Sequence, residues 1–113
     1  QGLIEPGYYG TDYTGTAYNS DYTSGRMNTD DKVSWTYGRF DIRAKLPKGK
    51  GSWPAIWMLG ENISTVGWPN CGEIDIMEHV GYDDDGIHGS IHTETFNHAM
   101  NTSKRALFAE LAS

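Results

Sequence analysis

Apolar and polar residues alternate with a period of two along several stretches of this chain, as they do in strands with one dry face and one wet face. The clearest case is Cys71-Gly72-Glu73-Ile74-Asp75-Ile76-Met77-Glu78, where Ile and Met separate the acids. From Val33 to Leu46, Trp35, Tyr37, Arg39, Asp41, Arg43 and Lys45 alternate with Ser34, Thr36, Phe40, Ile42, Ala44 and Leu46. This predicts a strand whose even face joins the core from Phe40 onward and whose charged face lies outside the sheet. Trp53 to Met58 predicts another, with Trp53, Ala55 and Trp57 on one face and Ile56 and Met58 turned to the core. Lys48 to Gly51 reads as a turn. Residues 6–24, rich in Tyr, Gly, Thr, Asp and Ser, read as a long irregular loop leading into a strand over Ser24 to Asn28. Only Asn101 to Ala112 has helical character, with Ser103 as N-cap before an Ala- and Leu-rich run.

The acidic strand carries the candidate chemistry, because a buried acidic face is costly and is kept where it works. In a regular strand Glu73 and Asp75 share a side with Met77, and Glu78 points away. A one-residue bulge at Ile76-Met77 returns Glu78 to the face of the other two acids; bulges gather beside active sites because they re-aim one side chain. The two glutamates then stand about 13 to 15 Å apart along the backbone, at ~3.3 Å per residue. Side chains leaning together approach the ~5 to 5.5 Å separation at which one acid attacks a sugar and the other protonates the leaving oxygen. Asp75, between them, is placed to share a proton with Glu73 and so to tune when that group is charged.

Other residues add candidates with plainer alternatives. Trp53 and Trp57 offer flat faces on which pyranose C–H patches stack, although two core tryptophans would show the same spacing. Trp68 precedes the acids in a loop and is open to both readings, whereas Trp35 reads as structural. His79, directly after Glu78, is counted with the substrate contacts. Tyr8, Tyr9, Tyr13, Tyr18 and Tyr22 offer further stacking faces, but a Tyr-rich loop more commonly packs on itself. His88 and His92, with Asp83, Asp84 and Asp85 before them, raise a metal site. That segment reads as strand and turn with no second ligand pair, so no metal is assigned and a solvated acidic turn is the simpler account.

Fourteen Gly, seven Tyr and four Trp in 113 residues suit short strands joined by tight turns. A formal net charge of −6 argues against a nucleic-acid partner, which needs a basic face, while a neutral polysaccharide makes no such demand. The single cysteine, Cys71, excludes an internal disulfide and reads as a small buried residue of its loop. No apolar run is long enough to span a bilayer and no signal peptide is visible, so no membrane partner is expected. Asn62-Ile63-Ser64 and Asn101-Thr102-Ser103 match the glycosylation triplet, which matters only in a eukaryotic secretory host.

The stretch Gly72 to Glu78 resembles the signature of glycoside hydrolase family 16 in its form with an extra residue before the last Glu. Four further blocks resemble laminarinase-like endo-β-1,3-glucanases in the same order. They are Ser24-Gly25-Arg26-Met27, Tyr37 to Pro47, Trp53 to Gly60 and Trp68-Pro69. The resemblance is strongest over residues 23–98, with 99–113 a divergent tail. It implies Glu73 as nucleophile, Asp75 as its assistant and Glu78 as general acid/base in retaining endo-hydrolysis of β-1,3-glucan. It also implies sugar contacts from Arg26 and Asn28 and favours cleft duty for Trp53 and Trp57. No cofactor is implied for the chemistry, although a structural calcium ion belongs to many such domains. Another specificity of the family (mixed-linkage β-glucan, a galactan or transglycosylation) and a non-catalytic glucan-binding piece stand as alternatives.

The implied fold is all-β, a jelly-roll sandwich of two curved antiparallel sheets, roughly twice as long as this chain and interleaving early and late strands. Residues 1–113 thus read as a central part of a catalytic domain, with Gly2-Leu3-Ile4-Glu5 resembling an inner strand. An incomplete sandwich leaves unpaired edges and an uncovered apolar face, so the chain by itself is expected to be inactive or poorly folded. The parent protein is expected outside the cell, because a glucan polymer does not cross a membrane intact.

Overall fold

The computed structural model describes residues 8–11, 17–20, 24–83 and 86–110. The chain divides into two units, Gln1–Ser34 and Trp35–Ser113. In the first, strands β1 (Tyr8–Thr11) and β2 (Ala17–Ser20) form an antiparallel hairpin with Tyr8 opposite Ser20 and Thr11 opposite Ala17. Part of the expected irregular loop is therefore regular, as suits Tyr and Thr, which favour extended backbone. Gly2 to Glu5, Tyr13 and Tyr22 lie outside the described residues. Ser24 to Asn28 is exposed and enters no strand, and a turn follows in which Lys32 and Val33 donate their N–H groups to the Thr29 carbonyl at 3.0 and 3.1 Å.

The second unit is built on one four-stranded antiparallel sheet in the order β3 (Ala55–Leu59), β4 (Glu73–Glu78), β5 (Gly86–His92), β6 (Lys104–Glu110). A single helical turn, α1 (Ile63–Val66), and the turn at Trp68 to Cys71 join β3 to β4. The Trp68-Pro69 peptide in that connection is cis. Two departures from the sequence pattern stand out. Val33 to Leu46 is not a strand: alternation alone does not hold an extended chain without a neighbour to take up its N–H and C=O groups, and among the described residues none pairs with it. All of it but Leu46 is exposed. The tail expected to be helical from Ser103 is instead β6, because ladder bonds to the edge of β5 outweigh the modest helix preference of Ala and Leu.

Burial is also the reverse of a simple dry-face reading. Cross-strand partners share a face, and Met58, Ile74, Ile91 and Lys104 make one row across the sheet. Ile74 and Ile91 are 53% and 52% exposed, whereas Asp75, Ser90 and His92 on the opposite face are buried. The polar face is thus the covered one among the described residues, through its own hydrogen bonds and the loops after β3 and β5.

Close approach at Gly60 lets β3 leave the sheet. Gly60 donates its N–H to the Gly72 carbonyl at 3.3 Å, and a Cβ there would collide with the carbonyl oxygen of Cys71. That contact joins the end of β3 to the residue before the acidic strand. The expected turn at Lys48 to Gly51 is present, closed by the Ser52 N–H on the Gly49 carbonyl at 3.2 Å. Gly60→Ala is expected to lower stability by about 1 to 3 kcal/mol, as overpacking against backbone does, and thermal unfolding followed by circular dichroism checks it.

Candidate functional site

Strand β4 carries the expected bulge. On the β5 side, Asp75 pairs with Ser90 and Glu78 with His88, so three steps along β4 match two along β5. On the β3 side, Met77 pairs with Ile56 and Asp75 with Trp57, which leaves Ile76 as the extra residue. An extra residue reverses the alternation once and brings Glu78 back to the side of Glu73 and Asp75. That side is built of three rows: Leu59, Glu73 and His92; Trp57, Asp75, Ser90 and Arg105; Ala55, Glu78, His88 and Leu107. The three carboxylates line one cavity of about 300 Å³ together with Trp53, His92, His98 and Arg105.

Each acid has its own partner. Trp68 donates its indole N–H to Glu73 Oε2 at 2.6 Å, and Trp53 donates its own to Glu78 Oε1 at 3.1 Å. The Ser90 hydroxyl donates to Glu78 Oε2 at 3.3 Å, and His92 Nε2 lies 3.1 Å from Asp75 Oδ2. The last two contacts run diagonally between neighbouring rows, within reach of side chains that stand one pair apart on a sheet face. His92 Nδ1 is buried without a partner. The ring therefore carries its proton on Nε2, donating to Asp75, since an Nδ1–H would be a buried donor left unbonded.

Asp75 is the most perturbed group of the site. Burial pushes its pKa up from 3.8 to about 7, the charges of Glu73 and Glu78 and a hydrogen bond with Glu73 push the same way, and Arg105 opposes them. Below about pH 7 Asp75 is thus neutral and can donate a hydrogen bond toward Glu73.

The other expected contacts divide. Trp53 stands at the cavity and bonds Glu78, although it precedes the strand in which it was expected, and Trp68 holds Glu73. Trp57 lies half-buried opposite Asp75, on the acid face but not among the side chains that line the cavity. His79 is placed elsewhere: it is 2% exposed and its Nδ1 lies 3.0 Å from the Gly86 carbonyl, so it ties the end of β4 to the start of β5 and has no face free for a sugar. Arg26 and Asn28 are exposed in the first unit. The histidines weighed for a metal have separate partners, His88 with Asp83 at 2.8 Å and His92 with Asp75. Among the described residues no three His, Cys, Asp or Glu side chains are grouped as a metal ion would need.

Ser90, His92 (weighed from sequence only as a metal ligand), His98 and Arg105 were not singled out from sequence as neighbours of the acids. The period-two spacing of His88, Ser90 and His92 was a signal for the first two, since it puts all three on one strand face; only the pairing of β5 with β4 says which face.

The pH dependence of stability follows from Asp75. The folded chain holds its proton to higher pH than the unfolded chain, so the unfolded state binds fewer protons between pH 3.8 and about 7. Stability from this group is greatest below the unfolded value and is lost as pH rises through about 7. Asp75→Asn, neutral at all pH and similar in shape, is expected to remove that decline, read as a flatter dependence of the thermal midpoint on pH.

Residues 4–111 match the family described as XgeA-like, catalytic GH16 domain. A β-glucanase of Rhodothermus marinus is 56% identical over 86 residues, covering 74% of this chain and 30% of that protein. A β-1,3-glucan-binding protein of Penaeus monodon is 43% identical over 93 residues, 80% of this chain and 25% of its own length. The laminarinase catalytic domain of Thermotoga maritima MSB8 superimposes with a TM-score of 0.76 at 47% identity, covering 92% of this chain and 39% of that domain. The chain thus spans about a third of the lengths of the proteins it matches, and the part it spans includes the bulged acidic strand. Matched to this family over residues 4–111 and carrying the bulged acidic strand, the chain belongs to the XgeA-like catalytic domains of glycoside hydrolase family 16.

Proposed function

We propose that the protein carrying this chain hydrolyses β-1,3-glucan internally with retention of anomeric configuration, using Glu73 as nucleophile and Glu78 as general acid/base. The observation that carries the reading is the bulge at Ile76, which sets Glu73, Asp75 and Glu78 around one cavity. Support comes from the β-glucanase and laminarinase relatives, similar across the acidic strand.

In the first step the Glu73 carboxylate attacks the anomeric carbon while Glu78 gives its proton to the glycosidic oxygen, which leaves with the bonding pair. A glycosyl ester forms on Glu73. In the second, the Glu78 carboxylate takes a proton from water as the water oxygen attacks the same carbon; the ester breaks and Glu73 leaves as carboxylate. The Trp68 N–H holds one oxygen of Glu73, at Oε2, and leaves Oε1 to attack. Neutral Asp75 keeps its proton and donates a hydrogen bond to Glu73, so that Glu73 carries the charge. Trp53 and Ser90 bracket the two oxygens of Glu78 and fix the direction in which its proton travels. Trp53, 59% exposed, keeps its flat face open for a sugar ring. We place the action outside the cell, on a polymer that cannot enter it.

A binding-only role is suggested by the likeness to the Penaeus monodon protein. Against it stands the cost of burying carboxylates on one face, which a binding module has no reason to bear.

Glu73→Ser is expected to abolish hydrolysis of laminarin while leaving laminarin binding in place. Turnover by that variant would sink the assignment, and binding without turnover in the unmodified protein would select the binding role. Product analysis on laminarin, lichenan and agarose is expected to show β-1,3-glucan as the preferred polymer.

A further inference from the structure

The loop from Thr93 to Thr102 has a built interior for which the hydrolytic steps above supply no use. At its centre Asn97 is 2% exposed. Its side-chain amide donates to the carbonyls of Thr93 and Glu94 at 3.1 and 3.0 Å, and its Oδ1 accepts the Met100 N–H at 3.0 Å. Its own N–H donates to the Thr102 hydroxyl at 3.2 Å, and its carbonyl accepts the Thr102 N–H at 3.0 Å. An Asn bonded at every polar atom fixes the backbone on both sides of itself. The residue so fixed is His98.

The His98 ring lines the cavity of the three acids. It lies over Trp68, with centroids 4.7 Å apart and planes at 31°, and meets the His92 ring edge-on at 5.3 Å and 83°. Trp68 is the donor to Glu73, and His92 is the partner of Asp75. Trp68 itself stands in a turn, where no strand ladder restrains it. Two rings flank its indole, His98 stacked at 4.7 Å and His92 tilted at 6.0 Å and 53°, and the closer, more nearly parallel one is His98.

We propose that His98, clamped by Asn97, is a positioning residue: stacked on Trp68, it keeps the indole N–H on Glu73 Oε2 and so sets the direction of the attacking oxygen. The contact with His92 extends the same restraint to Asp75, the proton partner of Glu73. Its catalytic consequence rests on the assignment of Glu73 as nucleophile.

The test uses the protein carrying this chain, labelled with nitrogen-15, in which Trp68→Phe identifies the Trp68 indole signal among those of the other tryptophans. His98→Ala is expected to speed solvent exchange of that indole proton by about tenfold and to shift its resonance, because its bond to Glu73 opens more often. His98→Phe, which restores a flat ring, is expected to restore both. In the protein carrying the chain, His98→Ala should lower kcat on laminarin on the order of tenfold to a hundredfold with KM little changed, and Phe should recover most of it. Unchanged indole exchange in His98→Ala overturns the proposal, as does a Phe variant as impaired as Ala. Should His98→Ala fail to fold, His98→Leu, bulky but without a ring plane, carries the same two outcomes. If Glu73→Ser leaves hydrolysis intact while residue 98 still governs the indole exchange, the nucleophile assignment fails and the positioning contact stands.

Discussion

Carboxylates crowded on one face of a single strand repel one another and lose water, and the structure of the site follows from how that cost is met. One extra residue, Ile76, creates the crowding by turning Glu78 to the side of Glu73 and Asp75. Neutralisation and directed hydrogen bonds then make it tolerable. Asp75, the most buried of the three, takes up a proton, and its pKa near 7 records that the site does not carry three full charges in acid and neutral solution. Glu73 and Glu78 keep separate indole donors, Trp68 and Trp53, so neither has to compete for the other's partner.

The rest of the sheet is arranged around that strand. Strand β3 ends at Gly60, where the absence of a side chain lets the connection pass against Cys71 and return Trp68 beside Glu73. Strand β5 presents His88, Ser90 and His92 to the acids at the period of two that a neighbouring strand allows. Strand β6 adds Arg105 opposite Ser90, a cation that works against the rise in the Asp75 pKa. The polarity of the acid face and the sheet architecture are therefore one arrangement: residues that pair the strands are also those that surround the acids.

Much of this was legible before any coordinates. The alternation of acids with Ile and Met, together with the chemistry a glycosidase needs, required a strand with a bulge near Ile76, and the pairing on both sides of β4 has it there. Strand β3 with Trp57 and the turn near Gly49 were equally readable. Elsewhere local pattern misled. Val33 to Leu46 alternates well and forms no strand, because alternation describes which face would be dry and not whether a partner exists. The residues after Ser103 carry helix-forming Ala and Leu and yet form β6, because an open edge on β5 offers a full ladder of hydrogen bonds. His79 sits next to Glu78 in the chain but faces the interior.

The sequence by itself determined what chemistry is possible here: three carboxylates in six positions, the odd residue that aligns them, and aromatic rings near enough in the chain to serve a sugar. Those features are local, and the covalent geometry of a strand suffices to read them. Only the tertiary structure decided which groups complete the site. Trp53, Ser90, His92, His98 and Arg105 lie up to 32 residues from the acids along the chain; Ser90, His92 and Arg105 depend on strand register, where a slip of one residue would turn each to the other face, and Trp53 and His98 depend on the path of the segments that join the strands.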